Sequence, residues 1–196
     1  VLYLAGIENT IKNAELFGIS TFKDRSRFGL SLVLGGGEVR LIELAQAYSV
    51  LAREGVKPEI SPVLKVIDGD GNVLEEYRDK TTNVIDSQYP RLINDILSDN
   101  EARAPMFGQR PPLYFENYQV AVKTGTTQDY KDGWTIGYTP AIAAGVWAGN
   151  NDGTLMTKEP GVVLAAPIWR TFIEKALLKF PKENFNPPEP TEPIFI

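Results

Sequence analysis

Apolar residues recur every three or four positions at Leu41, Leu44, Ala45, Tyr48, Leu51 and Ala52 and stop at Gly55, which predicts an amphipathic helix. The same spacing at Leu92, Ile93, Ile96 and Leu97 predicts another over 88–98. A wider stripe, Ile168, Trp169, Phe172, Ile173, Ala176, Leu177 and Phe180, follows Pro167. The fixed φ and missing N–H of Pro167 suit the first position of a helix that Pro181 ends. So wide a stripe must cover a sheet. Residues 118–127, 133–139 and 141–149 supply one: they run apolar or alternating, rich in β-branched and aromatic types, with short breaks and Pro140 at the second turn. They predict a three-stranded antiparallel meander. Segments 62–67 and 73–77 flank Asp68-Gly69-Asp70-Gly71-Asn72 and predict a hairpin. At the start, residues 1–5 read as the last turn of a helix, and Asn9 or Thr10 is expected to cap a short helix through Phe17 that Gly18 stops. Residues 20–27 are polar loop, and 186–196, with four prolines, are an extended end segment outside the core.

These elements fit one domain. The 196 residues are 43% apolar and 10% aromatic, enough to build a core, so a disordered tail is excluded. Val1 lies within an apolar run with no signal-peptide n-region, so the chain is expected to be a piece of a longer polypeptide. The longest uncharged run, 133–151, holds Pro140 and four glycines and does not read as a membrane span. A net charge of −5, with no block of like charge, argues against a nucleic-acid partner. With no cysteine and no histidine, disulfides, thiol nucleophiles, a Ser-His-Asp triad and Cys- or His-ligated zinc are excluded. Hydroxyls, lysines, tyrosines and carboxylates remain as chemistry, and no cofactor or metal is expected.

Among these, Lys123-Thr124-Gly125-Thr126-Thr127 ends an apolar strand. Lys123 offers a fixed positive charge beside a hydroxyl. Gly125 lacks a Cβ, so another backbone can lie against the strand and pair with it. Thr124 and Thr126 hydroxyls can grip a carboxylate, and the Thr126 N–H can donate to an oxyanion. Alternation puts Lys123 and Gly125 on one face and Thr124 and Thr126 on the other, so all can serve one ligand only at the rim of a sheet.

The stretch VAVKTGTTQDYKDGWTIGYTPAIAAGVWAGN closely resembles the third active-site motif and following strands of class A penicillin-binding proteins, the serine D-Ala-D-Ala transpeptidases that cross-link peptidoglycan. LGGGEVRLIELAQAYSVLAREG resembles the glycine loop and helix that precede that motif, and 1–20 resembles the segment after the family's second motif. The resemblance spans 1 to about 180 and implies a Ser-x-x-Lys nucleophile, a Ser-x-Asn and a Lys-Thr-Gly on the edge strand. Only the third is clearly present; the others are expected upstream of Val1, so the isolated chain is expected to be inactive. Gly133 stands where the family usually has Ala, which is expected to loosen the strand. Carried over, Lys123 orients and stabilises charge, Thr124 and Thr126 hold the substrate carboxylate, the Thr126 N–H is half of an oxyanion hole, and Gly125 and Thr127 complete the binding strand. The implied partners are a stem peptide ending in D-Ala-D-Ala, β-lactam antibiotics and the upstream part of the same domain. The implied location is the outer face of the bacterial cytoplasmic membrane, the parent protein being anchored there.

Literal matches to the missing motifs exist. Ser20-Thr21-Phe22-Lys23 is a Ser-x-x-Lys, but the polar residues 24–27 give it no apolar stripe, and Ser98-Asp99-Asn100 sits at the end of the predicted 88–98 helix. Gly35-Gly36-Gly37 lacks the lysine of a phosphate loop and reads as a tight connection. Asp68, Asp70 and Asn72 copy part of a calcium loop, but Val73 and Asp79 replace its Gly and Glu. Trp134, Tyr138 and Trp147 read as core rather than as a sugar or peptide cleft. The expected fold is α/β (α+β): an antiparallel sheet covered on one face by the 166–180 helix, with the 40–54 helix in an adjoining lobe, forming part of a penicillin-binding, β-lactamase-like transpeptidase fold over 1–180, followed by a Pro-rich tail over 181–196. Two other functions stay open: a non-catalytic peptide- or partner-binding relative, and a small serine acylase using Ser20 and Lys23.

Overall fold

The computed structural model describes residues 1–156 and 160–190. In chain order it forms α1 (Leu2–Ala5), α2 (Ile7–Phe17), two 3₁₀ turns, α3 (Leu41–Ala52), β1 (Val56–Pro58), β2 (Lys65–Ile67), β3 (Val73–Glu76), β4 (Thr81–Asn83), α4 (Gln88–Ser98), α5 (Asn100–Phe107), β5 (Ala121–Thr126), β6 (Asp132–Thr139), β7 (Ile142–Gly149) and α6 (Gly161–Leu177). The sheet β5-β6-β7 is the expected antiparallel meander, with β5 and β7 as its edges.

Both faces of this sheet are covered, not one. On one side α6 buries Ala165, Ala166, Trp169, Ile173 and Leu177 against Val120 and Val122. Gly137 lets the Trp169 indole lie flat on β6, since an added Cβ would stand 2.2 Å from Trp169 Cζ2, and the indole N–H donates to Ala144 O at 3.0 Å. On the other side α3 packs directly on β6 and β7, and Ala52 joins Ala121 and Tyr138 in a second core. The helix expected in an adjoining lobe is therefore the second covering layer. Its stripe matches in size the small residues Ala143 and Gly145 on β7, which let it approach closely.

A buried polar bridge ties this layer to α4. Tyr138 Oη donates to Asn94 Oδ1 at 2.7 Å, and Asn94 Nδ2 donates to Leu51 O at 3.1 Å. Burial pushes the Tyr138 phenol well above its usual pKa, so it stays a neutral donor. A third cluster of Ile11, Ile19, Phe22 and Ala47 seats α2 and the following loop on α3.

Several local expectations change. Helix α2 starts at Ile7 with Gly6 as its N-cap, and Asn9 and Thr10 instead donate back to Ala5 O and Gly6 O. Helix α6 starts six residues before Pro167, which lies inside it. The buried stripe is also narrower than expected: Ile168 and Phe172 are 58% and 55% exposed, because the sheet-facing line runs through Trp169, Ile173 and Leu177 and each of these two falls about 100° round the helix from it. Residues 100–107 are helical and 56–58 pair with 81–83, neither of which periodicity signals in such short pieces. The hairpin β2–β3 is present, its turn held by Asp68, whose carboxylate accepts from the N–H groups of Asp70 and Asn72 and from Asn72 Nδ2.

The tail is extended but laid on the domain. Phe185 packs edge-on against Tyr138, its N–H donates to Gln119 Oε1, and Glu189 exchanges two hydrogen bonds with the Gln88 amide. Residues 191–196 lie outside the described ones.

Candidate active site on the edge strand

Strand β5 carries Lys123 to Thr126 along the unpaired rim of the sheet. Its polarity follows from one hydrogen bond at its end: Thr127 N–H donates to Asp132 O at 3.1 Å, on the inner side. Alternation in an antiparallel ladder then turns the N–H and C=O groups of Thr126 and Thr124 outward, to the free edge. The outward carbonyl of Thr124 receives the Lys123 ammonium at 2.6 Å. Lys123 is exposed, and among the described residues it has no serine hydroxyl as a hydrogen-bond partner.

Gly125 is half-buried yet has room: an added Cβ would meet only its ladder partner Trp134, at 3.4 Å. The helix α6 begins directly beside it. Gly161 N–H donates to Thr126 Oγ1 at 2.8 Å, and a Cβ on Gly161 would fall 2.2 Å from Gly125 O. Gly133, expected to loosen β6, instead gives that helix its way in, since a Cβ there would stand 3.1 Å from Gly161 Cα. This contact has a chemical result. With its oxygen already accepting from Gly161, the Thr126 hydroxyl keeps its proton for another acceptor, and a carboxylate is acceptor only.

Thr127 differs from its neighbours. Its hydroxyl donates to Asp132 Oδ2 at 3.0 Å and accepts from Asp132 N–H at 2.8 Å, so the side chain closes the turn from β5 to β6. Asp132 in turn accepts from the Trp147 indole at 2.9 Å. Trp134 and Trp147 stack edge-on, both half-buried, while only Tyr138 is fully enclosed. In the same turn Asp129 and Tyr130 adopt positive φ of 59° and 56°, a conformation uncommon outside glycine that the sequence does not signal.

Neither literal copy of an upstream motif approaches this rim as a catalytic group. Ser20 lies in a loop, and its N–H and hydroxyl both donate to Glu43, at 3.0 and 2.7 Å. Ser98 ends α4 and accepts from Gln119, Asp99 caps α5 by accepting from Ala102 N–H, and Asn100 donates to Gln109 O. Each is engaged in local structure, with the buried Asn100 Oδ1 left without a partner among the described residues.

Residues 18–174 match the family model described as the penicillin binding protein transpeptidase domain. The chain belongs to that family. It is 34% identical over 162 residues to penicillin-binding protein 1A of Aquifex aeolicus, covering 81% of this chain and 22% of that protein. It is 30% identical over 196 residues to penicillin-binding protein 2D of Bacillus subtilis, covering 97% of this chain and 28% of that one. Among solved structures, the penicillin-binding protein PonA1 of Mycobacterium tuberculosis superposes with a TM-score of 0.78 at 25% identity, over 98% of this chain and 57% of that one. PonA1 in complex with penicillin V gives 0.77 at 28% identity, over 96% and 54%. The chain thus spans about a quarter of the length of the two curated relatives and a little over half of the PonA1 chains. The mixed α/β architecture with its antiparallel sheet is that of a penicillin-binding transpeptidase domain, and the motif of 123–126 lies on an edge strand within the matched region.

Proposed function

We propose that this chain supplies the substrate-docking strand of a serine D-Ala-D-Ala transpeptidase that cross-links peptidoglycan and is inhibited by β-lactams. The observation that carries the proposal is the outward set of backbone groups on Thr124 and Thr126, beside Lys123, on a free sheet edge. A peptide backbone laid along that edge gains ladder hydrogen bonds. A serine contributed by the upstream part of the polypeptide attacks the penultimate D-Ala carbonyl, the carbonyl oxygen becomes an oxyanion, and the Thr126 N–H donates to it. Collapse of that intermediate breaks the peptide bond, and the terminal D-Ala leaves as its protonated amine. An amine on a neighbouring strand then attacks the acyl-serine and frees the hydroxyl. One oxyanion donor is worth about 10²–10³ in rate. Lys123 holds positive charge against the developing anion, and the Thr126 proton is directed to the substrate carboxylate.

The upstream part of the same domain is proposed to cover the second open edge, β7, and the apolar side chains left exposed at its flanks, Ile42, Ile168 and Phe172. No helix among the described residues is long and apolar enough to cross a membrane. The proposed location, at the outer face of the bacterial cytoplasmic membrane, goes with the proposed reaction, since the cross-linked wall lies outside that membrane.

Fluorescent penicillin tests the proposal. The full-length protein is expected to become covalently labelled, and this chain alone is expected to stay unlabelled. Absence of label on both would favour a binding module without turnover, and a mass shift mapped to Ser20 would favour the small serine acylase.

A further inference from the structure

Strand β5 is laddered on its inner side alone. Among the described residues β6 is its only ladder partner, and on the outer side α4 and α5 leave a cavity of about 240 Å³ lined by Ile96, Leu97, Val122, Lys123 and Thr124. A hole at the level of the motif means that close packing does not set the distance from α4 to the docking strand there. Something else sets it.

The tail reaches both elements. Lys182 Nζ sits 5.8 Å from the centre of the Tyr118 ring, Phe185 N–H donates to Gln119 Oε1 at 3.0 Å, and the Phe185 ring meets Tyr138 edge-on with centroids 5.6 Å apart. Tyr138 is the ladder partner of Ala121, and Phe185 packs against the core that these two share. Farther on, Asn186 Nδ2 donates to Glu54 just beyond α3, and Glu189 exchanges hydrogen bonds of 2.7 and 2.8 Å with the Gln88 amide at the start of α4.

Gln119 is the joint between tail, helix and strand. Its Oε1 takes the tail, and its Nε2 donates to Ser98 Oγ at 3.2 Å, at the end of α4. It stands four residues before Lys123, about 13 Å along an extended chain. The ladder with β6 fixes the register over that length, so a shift at Gln119 is carried along β5 to the motif. Covering apolar surface would account for the Phe185 ring alone. It leaves unexplained why the amides of Gln88 and Gln119 each spend both of their ends on these contacts, which specify distance and direction as well as burial.

We propose that residues 182–189 form a strap that sets the position of the docking strand against α4, with Phe185 and Gln119 as its positioning residues. The proposal rests on the transpeptidase reading above and adds to it a distant segment that governs how the Thr126 N–H meets the substrate. Both residues act through β5 rather than on the substrate.

The test follows acylation of the full-length protein by fluorescent penicillin. Its rate constant reports the geometry of the folded molecules, and the final extent of labelling reports how many are folded. Phe185→Ala and Gln119→Ala are each expected to lower the rate constant about tenfold, a fraction of the roughly 10²-fold that a 1 Å misplacement can cost. Because both act through one joint, the double variant is expected to be slower than either single variant by less than about threefold. Phe185→Leu, which keeps an apolar body there, is expected to recover part of the rate. A role in stability alone would lower the urea midpoint and the extent of labelling while the rate constant holds, and that result overturns the proposal. Effects of the two variants that multiply in the double variant would also overturn it. Gln119→Ala, at a partly exposed position, keeps the test decisive where Phe185→Ala fails to fold: an unchanged rate constant overturns the proposal by itself. Failure of the wild-type protein to take any label is a different result, which removes the transpeptidase reading and this proposal with it.

Discussion

Gly161 joins the docking strand to the helix behind it, and Gly161→Ala measures how much that junction matters. The new Cβ would stand 2.2 Å from Gly125 O and 3.1 Å from Trp134 N, whereas real Cβ contacts essentially never fall below 3.0 Å. Both obstacles are backbone atoms of paired residues on β5 and β6, so no side-chain rotation relieves the overlap. The start of α6 or the end of β5 has to retreat by about 0.8 Å, the difference between those distances. Overpacking of this kind costs about 1–3 kcal/mol, and the lower entropy of the unfolded alanine chain returns about 0.4–1 kcal/mol, leaving a loss of about 1–2 kcal/mol. Because Gly161 N–H holds Thr126 Oγ1, the displacement reaches the hydroxyl and N–H that face substrate. A misplacement near 1 Å costs up to about 10²-fold in rate, so acylation is expected to slow about 10- to 100-fold. Fluorescent-penicillin kinetics on the full-length protein, with urea melts of the same samples, provide both readouts. Gly29→Ala is the control: nothing lies within 4 Å of its Cβ position, and its φ of −119° suits any residue, so it should change stability by less than about 0.5 kcal/mol. A Gly161→Ala protein that melts and acylates like wild type would refute the close junction. One that is destabilised but acylates normally would leave the packing and refute its coupling to Thr126.

Two further expectations concern the scaffold. Asn94→Ala orphans the buried Tyr138 hydroxyl and should cost about 2–4 kcal/mol, Tyr138→Phe about 1–2 kcal/mol, and the double variant should reveal a coupling of about 1–2 kcal/mol in urea melts; coupling near zero would mean the bridge is not a unit. Hydrogen bonds from Arg91, against a burial cost and with help from Asn186, hold the Glu54 carboxyl below its usual pKa. A depressed carboxyl stabilises the fold above its unfolded pKa, about 4.3, and that contribution is lost as pH falls through the folded value. Glu54→Gln should therefore be less stable than wild type by about 1–2 kcal/mol near pH 7, with the gap closing in acid; a gap unchanged down to about pH 3 would contradict this.

The chain's own order of residues determined whatever depends on near neighbours. Alternation in 133–149, the three-and-four spacing of 41–52 and the turn around Asp68 each report a local conformation, and their elements appear where expected. The string 123–127 likewise announces its chemistry, because charge, missing Cβ and hydroxyls are properties of the residues themselves. What periodicity leaves out is which surface covers an apolar stripe. The stripe after Pro167 could be read as wide because nothing in it says which line of it the sheet covers, and Pro167 looks like a start only until Gly161 is seen against Gly125. The place of α3 on the second face, the anchoring of Phe185 and the commitment of the Thr127 hydroxyl to Asp132 were all decided by the tertiary structure. The physical reason is common to them: a hydrogen bond or a steric fit is a property of a pair, and when the partners lie tens of residues apart only the folded chain brings them to the same place.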